Sequence, residues 1–257
     1  MSPIAVEIVV PAFNEAERLP AGLELLCRRL ERLPARAAVL VVDNASSDAT
    51  AEIVRQWPGG PVEVRLIHCA KRGKGAAVRA GILSSRAGIV GFCDADMATD
   101  PAVLDTVLQM MRVHPVIIGS RTHLGSRVEA RHSRTRSGGA LLFRRIAGRL
   151  VPGVGDTQCG FKFFHGDLAR QAARRQRSNG FAFDVELLAR CVRMGAAPVE
   201  VPVTWNDVPG SKFSVLRHGL PVIAELARIW FLLRRTPAVR AVPSASAAEI
   251  ALIRPAA

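Results

Sequence analysis

IVGFCDAD (89–96), DPAVLDTVLQMMRV (100–113) and VIIGSR (116–121) follow one another with little slack, and their reading as strand, helix and strand decides the fold. The outer two are short apolar runs of strand length. The middle one has apolar residues at helical spacing, opened by Asp100 as a cap and Pro101 at the first helical position, where a missing N–H costs nothing. Toward the N-terminus the alternation repeats. EIVVPAF (7–13), AVLVVDN (38–44) and VRLIHC (64–69) read as strands. AERLPAGLELLCRRLERL (16–33), SDATAEIVRQW (47–57) and GAAVRAGILSSR (75–86) read as helices, the first in spite of Pro20. Such alternation predicts an α/β fold, a mostly parallel sheet flanked by helices. Ligands are then expected at the carboxyl ends of the strands.

Polar clusters fall at those ends. The first strand runs into Pro11, Ala12, Asn14 and Glu15, the second into Asp43 and Asn44 with Asp48 beyond, and the fourth into Asp94, Ala95 and Asp96. If that strand extends through the aspartates, two residues apart face the same side, and both carboxylates converge on one hard cation. Magnesium or manganese suits such oxygen ligands, commonly with substrate phosphates completing the shell. Loop aspartates left in solvent are the plain alternative. Asn14 as a turn residue and Asp48 as a helix cap are likewise ordinary readings, and the cap is preferred for Asp48, whereas Asp43 and Asn44 are read as ligand-facing. KRGKGAAVRAG (71–81) fails both as a P-loop and as a dinucleotide fingerprint. It is a basic, glycine-rich turn opening a helix, where a phosphate can meet backbone N–H groups and Lys74.

The 35 Lys+Arg against 22 Asp+Glu, formally +13, point to an anionic partner: nucleic acid, acidic membrane or phosphorylated substrate. The five cysteines contain no C-x-x-C pair, so neither a disulfide framework nor a zinc site is expected, and a reduced cytoplasmic setting fits. No signal peptide is read at the N-terminus. No run reaches the roughly 18 apolar residues of a membrane-spanning helix.

VVPAFNEAERL, VVDNASSDAT, KRGKGAAVRAGI, FCDADMATDP, IIGSRT, DTQCGFKFF, FAFDVELLARCVRMG and VPVTWNDVPGSKFSV stand in the order found in family 2 glycosyltransferases of the GT-A fold, which the chain resembles over about residues 5–235. It is most similar to the polyprenyl-phosphate branch, in particular the dolichyl-phosphate glucosyltransferases. The resemblance implies inverting transfer of a hexose from a nucleoside diphosphate sugar, UDP-glucose foremost, with a divalent ion on the diphosphate. Pro11, Ala12, Asn14, Glu15, Asp43, Asn44, Lys74 and Ala95 would then surround the nucleotide sugar, with Asp94 and Asp96 as metal ligands.

The acceptor half lies downstream. Residues 121–149 hold eight arginines against the single acid Glu129 but only one aromatic, Phe143, which argues against a nucleic-acid surface. A solvated basic face accounts for most of the arginines. Arg121 in GSR and Arg134 in HSRTRSGGA are read as acceptor-phosphate ligands, with Ser137 as a further donor and Lys212 of the PGSK turn joining them. In DTQCGFKFF, Gln158 and Lys162 look buried and are assigned to the sugar and acceptor, and Asp184 is the candidate base, a structural hydrogen bond at a helix start being its plainer job. The mannosyl pattern has an arginine where this chain has Asn206 and Asp207, which disfavours mannosyl transfer.

VIAELARIWFLLRR (222–235) puts Val222, Leu226, Ile229, Trp230 and Leu233 on one stripe, the mark of a core-facing helix or of one lying in a membrane interface. The sequence therefore divides into a catalytic domain over 1–219, an amphipathic helix over 220–240 and a tail without fixed structure over 241–257. The function it predicts is metal-dependent transfer of glucose to a polyprenyl phosphate at the cytoplasmic side, with peripheral attachment to the membrane's inner face as the accompanying expectation. A family 2 enzyme acting on a small hydroxyl or amine acceptor is the rival, and a nucleic-acid-binding protein the reading from another class.

Overall fold

The computed structural model describes residues 4–129, 137–208 and 215–235. β1 (Val6–Ala12), β2 (Ala37–Asp43), β4 (Ile89–Cys93) and β5 (Val116–Ser120) are runs of mainly aliphatic residues, as strands covered on both faces require, and nearly every residue in them is buried. With β3 (Glu63–His68), β7 (Phe161–His165) and β8 (Val199–Pro202) they form one seven-stranded sheet in the order β3-β2-β1-β4-β7-β5-β8. All neighbours are parallel except β7, which runs against both β4 and β5. The predicted fold class holds.

Register lines up the strand ends. Ala12 lies opposite Asp43, and Asp43 opposite His68, so β1, β2 and β3 finish on one rim. The chain order reverses between β1 and β4, which makes their carboxyl ends the switch point where open α/β sheets bind ligands. Because β7 is antiparallel, with Cys93 opposite Phe161, it is the start of that strand that reaches the same rim. QCG (158–160) is thereby brought beside the two aspartates.

Two hydrophobic layers cover the sheet. α1 (Leu19–Glu31), α2 (Thr50–Arg55) and α4 (Leu104–Met110) pack on one face through residues such as Leu23, Leu26, Val54, Leu104 and Val107. α3 (Lys74–Ser84), α5 (Ser137–Leu150), α6 (Gly166–Arg175), α7 (Phe183–Arg193) and α8 (Val215–Arg235) build the other, around Phe92, Phe164 and Phe183. Pro20 does not interrupt α1, because the helix starts at Leu19 and the proline sits in its first turn. Asp100 does cap the turn after β4, its carboxylate accepting from Ala102 N at 2.8 Å, but the first residues, Pro101–Val103, are 3-10 rather than α. β6 (Arg127–Glu129) and β9 (Thr204–Asn206) pair as a separate two-stranded ribbon at the β5 and β8 end.

α8 begins ahead of Pro221, seven residues before the stripe at 222. Val222, Leu226, Ile229 and Leu233 are buried in the same core as α3 and α7, while Phe231 is 62% exposed and Arg234 lies 3.7 Å from the centroid of the half-buried Trp230. The expected tail over 241–257 lies outside the described residues.

Candidate active site

β4 stops at Cys93, so Asp94 and Asp96 are not strand residues and the alternation argument for their convergence fails. They sit on a turn instead. Met97 N donates to Asp94 O at 3.1 Å, Met97 takes a left-handed φ of 46°, and Ala98 N donates to Asp96 Oδ1 at 3.2 Å. Asp94 N donates to Gly160 O at 3.2 Å, which ties the turn to the start of β7. Gly160 leaves room for the Asp94 carboxylate: a Cβ there would fall inside contact distance of both of its oxygens, and the carboxylate would have to move. Gly22 of α1 plays the same part for the Ala95 carbonyl. Burial and the charge of Asp94 push the Asp96 carboxyl above its usual range. Two carboxylates close enough to repel are disposed to share a cation.

The described side chains supply cations of their own. Lys74, the first residue of α3, reaches Asp94 at 2.5 Å, and Arg18 links Asp96 at 3.5 Å to Glu15 at 2.6 Å. Burial pulls the Lys74 ammonium down, but Asp94, Asp184 and Asp96 more than offset it and hold its pKa above the ordinary lysine value. Arg18 escaped the sequence reading, although its place three residues after Glu15 in a helix entry is the spacing of an ion pair.

The β1 and β2 ends are laced together. Asn14, in a left-handed conformation at φ 52°, accepts from Ser47 N at 2.8 Å, and its own N–H donates to Ser46 Oγ at 3.0 Å. Glu15 N donates to Thr50 Oγ1, and Asp48, one residue ahead of the α2 N-cap Ala49 rather than the cap itself, accepts from Thr50 N at 3.0 Å and from Ala16 N at 3.1 Å. Asp43 accepts from Ser46 N and sits 3.4 Å from His68 Nδ1, with Pro11 and Ala12 alongside on β1. Asn44 is a correction to the ligand-facing reading: its amide donates to Cys69 O and Lys71 O and its oxygen accepts from Gly73 N at 2.7 Å. It shapes the 69–73 loop that leads into Lys74.

The downstream residues divide. Lys162 is fully buried, donating to Cys159 O at 2.5 Å and Asp184 Oδ1 at 2.6 Å under the Phe92 ring. It therefore faces the core rather than a ligand, because its place on β7 shares a face with Phe164. Burial raises the Asp184 pKa against the opposing pull of Lys162 and Lys74. Gln158 is half-buried, contrary to expectation, with a long 3.5 Å bond to Phe181 O. Arg121 pairs with Asp156 through Nε at 2.7 Å and Nη2 at 2.9 Å and lies 5.7 Å from the Trp205 ring centroid. Arg134 and Lys212 lie outside the described residues, as does the side chain of Ser137.

No group of three or more His, Cys, Asp and Glu gathers among the described residues. A closed protein cage is thus not what Asp94 and Asp96 offer. Two neighbouring carboxylates at an open rim, Asp94 beside Lys74 and Asp96 beside Arg18, are oxygen donors of the kind that magnesium and manganese take, with water and phosphate oxygens as the remainder of the shell.

The family model for glycosyl transferase family 2 matches residues 7–173, which span the strand-end rim described above. The chain belongs to glycosyl transferase family 2. Among its relatives, the human dolichyl-phosphate beta-glucosyltransferase is 36% identical, the match covering 80% of this chain and 69% of that protein. The Drosophila melanogaster protein of the same name is 34% identical over 88% of this chain and 74% of its own length. Among solved structures, glucosyl-3-phosphoglycerate synthase from Mycobacterium tuberculosis, in complex with Mn2+, uridine diphosphate and phosphoglyceric acid, superposes with a TM-score of 0.67 at 16% identity. That match covers 91% of this chain and 79% of the other, and the likeness is one of fold.

Proposed function

We propose that this enzyme transfers glucose from UDP-glucose to a polyprenyl phosphate of the dolichyl type, with inversion at the anomeric carbon and with magnesium or manganese at Asp94 and Asp96. The observation that carries the reading is the 34–36% identity, across 80–88% of this chain, to proteins named dolichyl-phosphate beta-glucosyltransferases. The geometry supports it independently, since carboxylates and a lysine meet at the switch point where a nucleotide would lie.

In the proposed reaction an oxygen of the acceptor phosphate attacks the anomeric carbon. The bond from that carbon to the β-phosphate oxygen breaks, and the nucleoside diphosphate leaves with the electron pair. Asp43, with Pro11, Ala12, Asn14 and Glu15, frames the nucleoside. Lys74, held at the rim by Asp94, is placed to meet the negative charge of the departing diphosphate. A bound divalent ion would supply Lewis-acid stabilisation of that same charge. Arg121 offers the acceptor phosphate its remaining nitrogen, Nη1, while Asp156 fixes the guanidinium plane through the other two.

A phosphate monoester has a second pKa near 6 and attacks at neutral pH without surrendering a proton. No general base is then needed. The burial of Asp184 and its pairing with Lys162 agree with that chemistry better than with a base that must touch an acceptor hydroxyl. No helix among the described residues is long and apolar enough to cross a membrane.

The test is incubation of the purified protein with a panel of nucleotide sugars, a short polyprenyl phosphate and either metal, read by product mass. A glucosyl phospholipid formed from UDP-glucose, and lost in excess chelator, is the expected result. Transfer only to hydroxyl or amine acceptors would replace this reading with its rival.

A further inference from the structure

α3 carries Lys74 into the donor site, yet no side chain caps its N-terminus. The helix entry is met by a distant backbone segment instead. Asn179 O accepts from Gly75 N at 2.9 Å and Ala76 N at 3.3 Å, and Gln176 Nε2 donates to Gly75 O at 2.9 Å. This explains both glycines of RGKG. Gly73, at φ 120°, lies so close to Asn179 O that a Cβ would overlap it, and a Cβ on Gly75 would stand 2.5 Å from Phe183 Cβ and 2.9 Å from Ser178 O. The neighbouring Phe181 carbonyl also receives Gln158. Residues 176–182 therefore grip the site from two sides.

That segment has no helix or strand of its own and is fixed by two glutamates. Glu186 of α7 accepts from Arg177 N at 3.0 Å and Ser178 N at 2.6 Å, its charge answered by Arg190. Glu225 of α8 accepts from Ser178 Oγ at 2.6 Å and, at 3.4 Å, from Gly180 N and Ala182 N. Gly180 is again the residue that lets the two approach, since a Cβ there would lie 2.8 Å from Glu225 Oε2. A carboxylate spread over three donors on one short segment holds its shape more firmly than any one neutral bond.

We infer that Glu225 is a positioning residue for the donor site. It fixes residues 178–182, whose Asn179 carbonyl sets the first turn of α3 and with it the ammonium of Lys74 against Asp94. The inference deepens the donor-site reading above and rests on it. α8 otherwise holds to the protein by apolar burial through Leu226 and Ile229, so Glu225 separates positioning from anchoring within one helix.

The test compares Glu225→Ala, Glu225→Gln and Leu226→Ala with the native protein, measuring UDP affinity with magnesium by calorimetry, amide hydrogen exchange and thermal midpoint. Glu225→Ala should weaken UDP by about tenfold, in the range found for coupling through packed networks. It should also speed exchange at Gly75 and Ala76, and raise the KM for the nucleotide sugar more than it lowers kcat. Glu225→Gln, whose amide oxygen still accepts, should recover part of the affinity and guards against a variant that fails to fold. Leu226→Ala should lower the thermal midpoint while leaving UDP affinity and the Gly75 and Ala76 amides as in the native protein. Native exchange at Gly75 and Ala76 in Glu225→Ala would overturn the inference, as would a loss of affinity no larger than that of Leu226→Ala. If the native protein binds no UDP, the donor-site reading falls, and the exchange comparison by itself decides the relay.

Discussion

Asp96 carries a charge that the fold would be easier without. Its pKa stands above the usual carboxylate range because burial and Asp94 both oppose ionisation. Asp94→Asn and Asp96→Asn should each cut kcat by more than about a hundredfold, the scale of losing a transition-state electrostatic contact. The thermal midpoint should stay level or rise in Asp96→Asn. A melt showing gross unfolding, or retained turnover, would remove these residues from the proposed chemistry. Asp156 behaves in the opposite sense. Burial opposes its ionisation, but the Arg121 hydrogen bonds and charge more than compensate and leave its pKa below the ordinary carboxylate value. A depressed folded-state pKa contributes stability that is complete above the unfolded-state value, about 4, and is lost as pH falls through the folded one. Asp156→Asn should therefore melt earlier at neutral pH and show a shallower decline on the acid side, a difference read by melting curves over a pH series.

Lys162 shows where a residue-level reading of sequence ends. In FKFF the lysine breaks an aromatic run and invites a ligand role, but its partner Asp184 lies 22 positions away on α7, and only the packing of β7 against that helix brings them together. The pairing also changes what a mutation means. Asp184→Asn would strand a buried ammonium, and loss of one member of a buried pair costs about 3–5 kcal/mol. It should lower the thermal midpoint strongly whatever the acceptor is. The informative comparison adds Lys162→Met to Asp184→Asn. The double variant should recover stability and, if Asp184 is not a base, keep transfer to polyprenyl phosphate within roughly tenfold. Loss of several orders of magnitude in a stable double variant would make Asp184 a base.

At the scale of elements, the strands and helices through β5 were legible because short apolar runs alternate with longer segments of helical spacing. Asp100 and Pro101 mark their helix start by local chemistry alone. The order of the sheet past β4 was not legible. β7 inserts between β4 and β5 in the opposite direction, a non-local pairing that no short run of residues encodes. The three-residue strands β6 and β9 are too short to show a period. The strand-alternation argument for the aspartate pair fails: the strand ends at Cys93, and the two residues sit on a turn tied to Gly160. Gly160→Ala tests that tie. Its methyl group would collide with the Asp94 carboxylate and force it off the rim. Displacing a catalytic group by about 1 Å can cost around a hundredfold in rate. Transfer should fall by that order with the far-ultraviolet circular dichroism unchanged, and near-native kcat would show that Asp94 need not lie against β7.

For the whole molecule, the open matter is how a protein whose described helices include none able to span a bilayer would meet a membrane-bound acceptor. Its formal charge of +13 supplies attraction to an anionic surface, and α8 supplies a means of contact. One face of that helix is committed to the core through Val222, Leu226, Ile229 and Leu233. The other presents Arg228, Phe231, Arg234 and Arg235, all exposed, beside the half-buried Trp230. The adjacent α5 adds exposed Arg144, Arg145 and Arg149. The stripe itself is thus a core stripe, and an interface role would fall to the opposite face. Basic residues near a surface contribute roughly 1 kcal/mol each to binding anionic lipid, and salt screens that term. The native protein should co-sediment with vesicles containing phosphatidylserine at low salt, bind neutral vesicles weakly, and release as salt rises. Charge reversal at Arg228, Arg234 and Arg235 together should remove most of the binding while the thermal midpoint holds, since none of the three is buried. Equal binding to neutral vesicles would point to Phe231 and Trp230 instead of the arginines. No sedimentation with either vesicle would confine α8 to its core role and move the acceptor reading toward small hydroxyl or amine compounds.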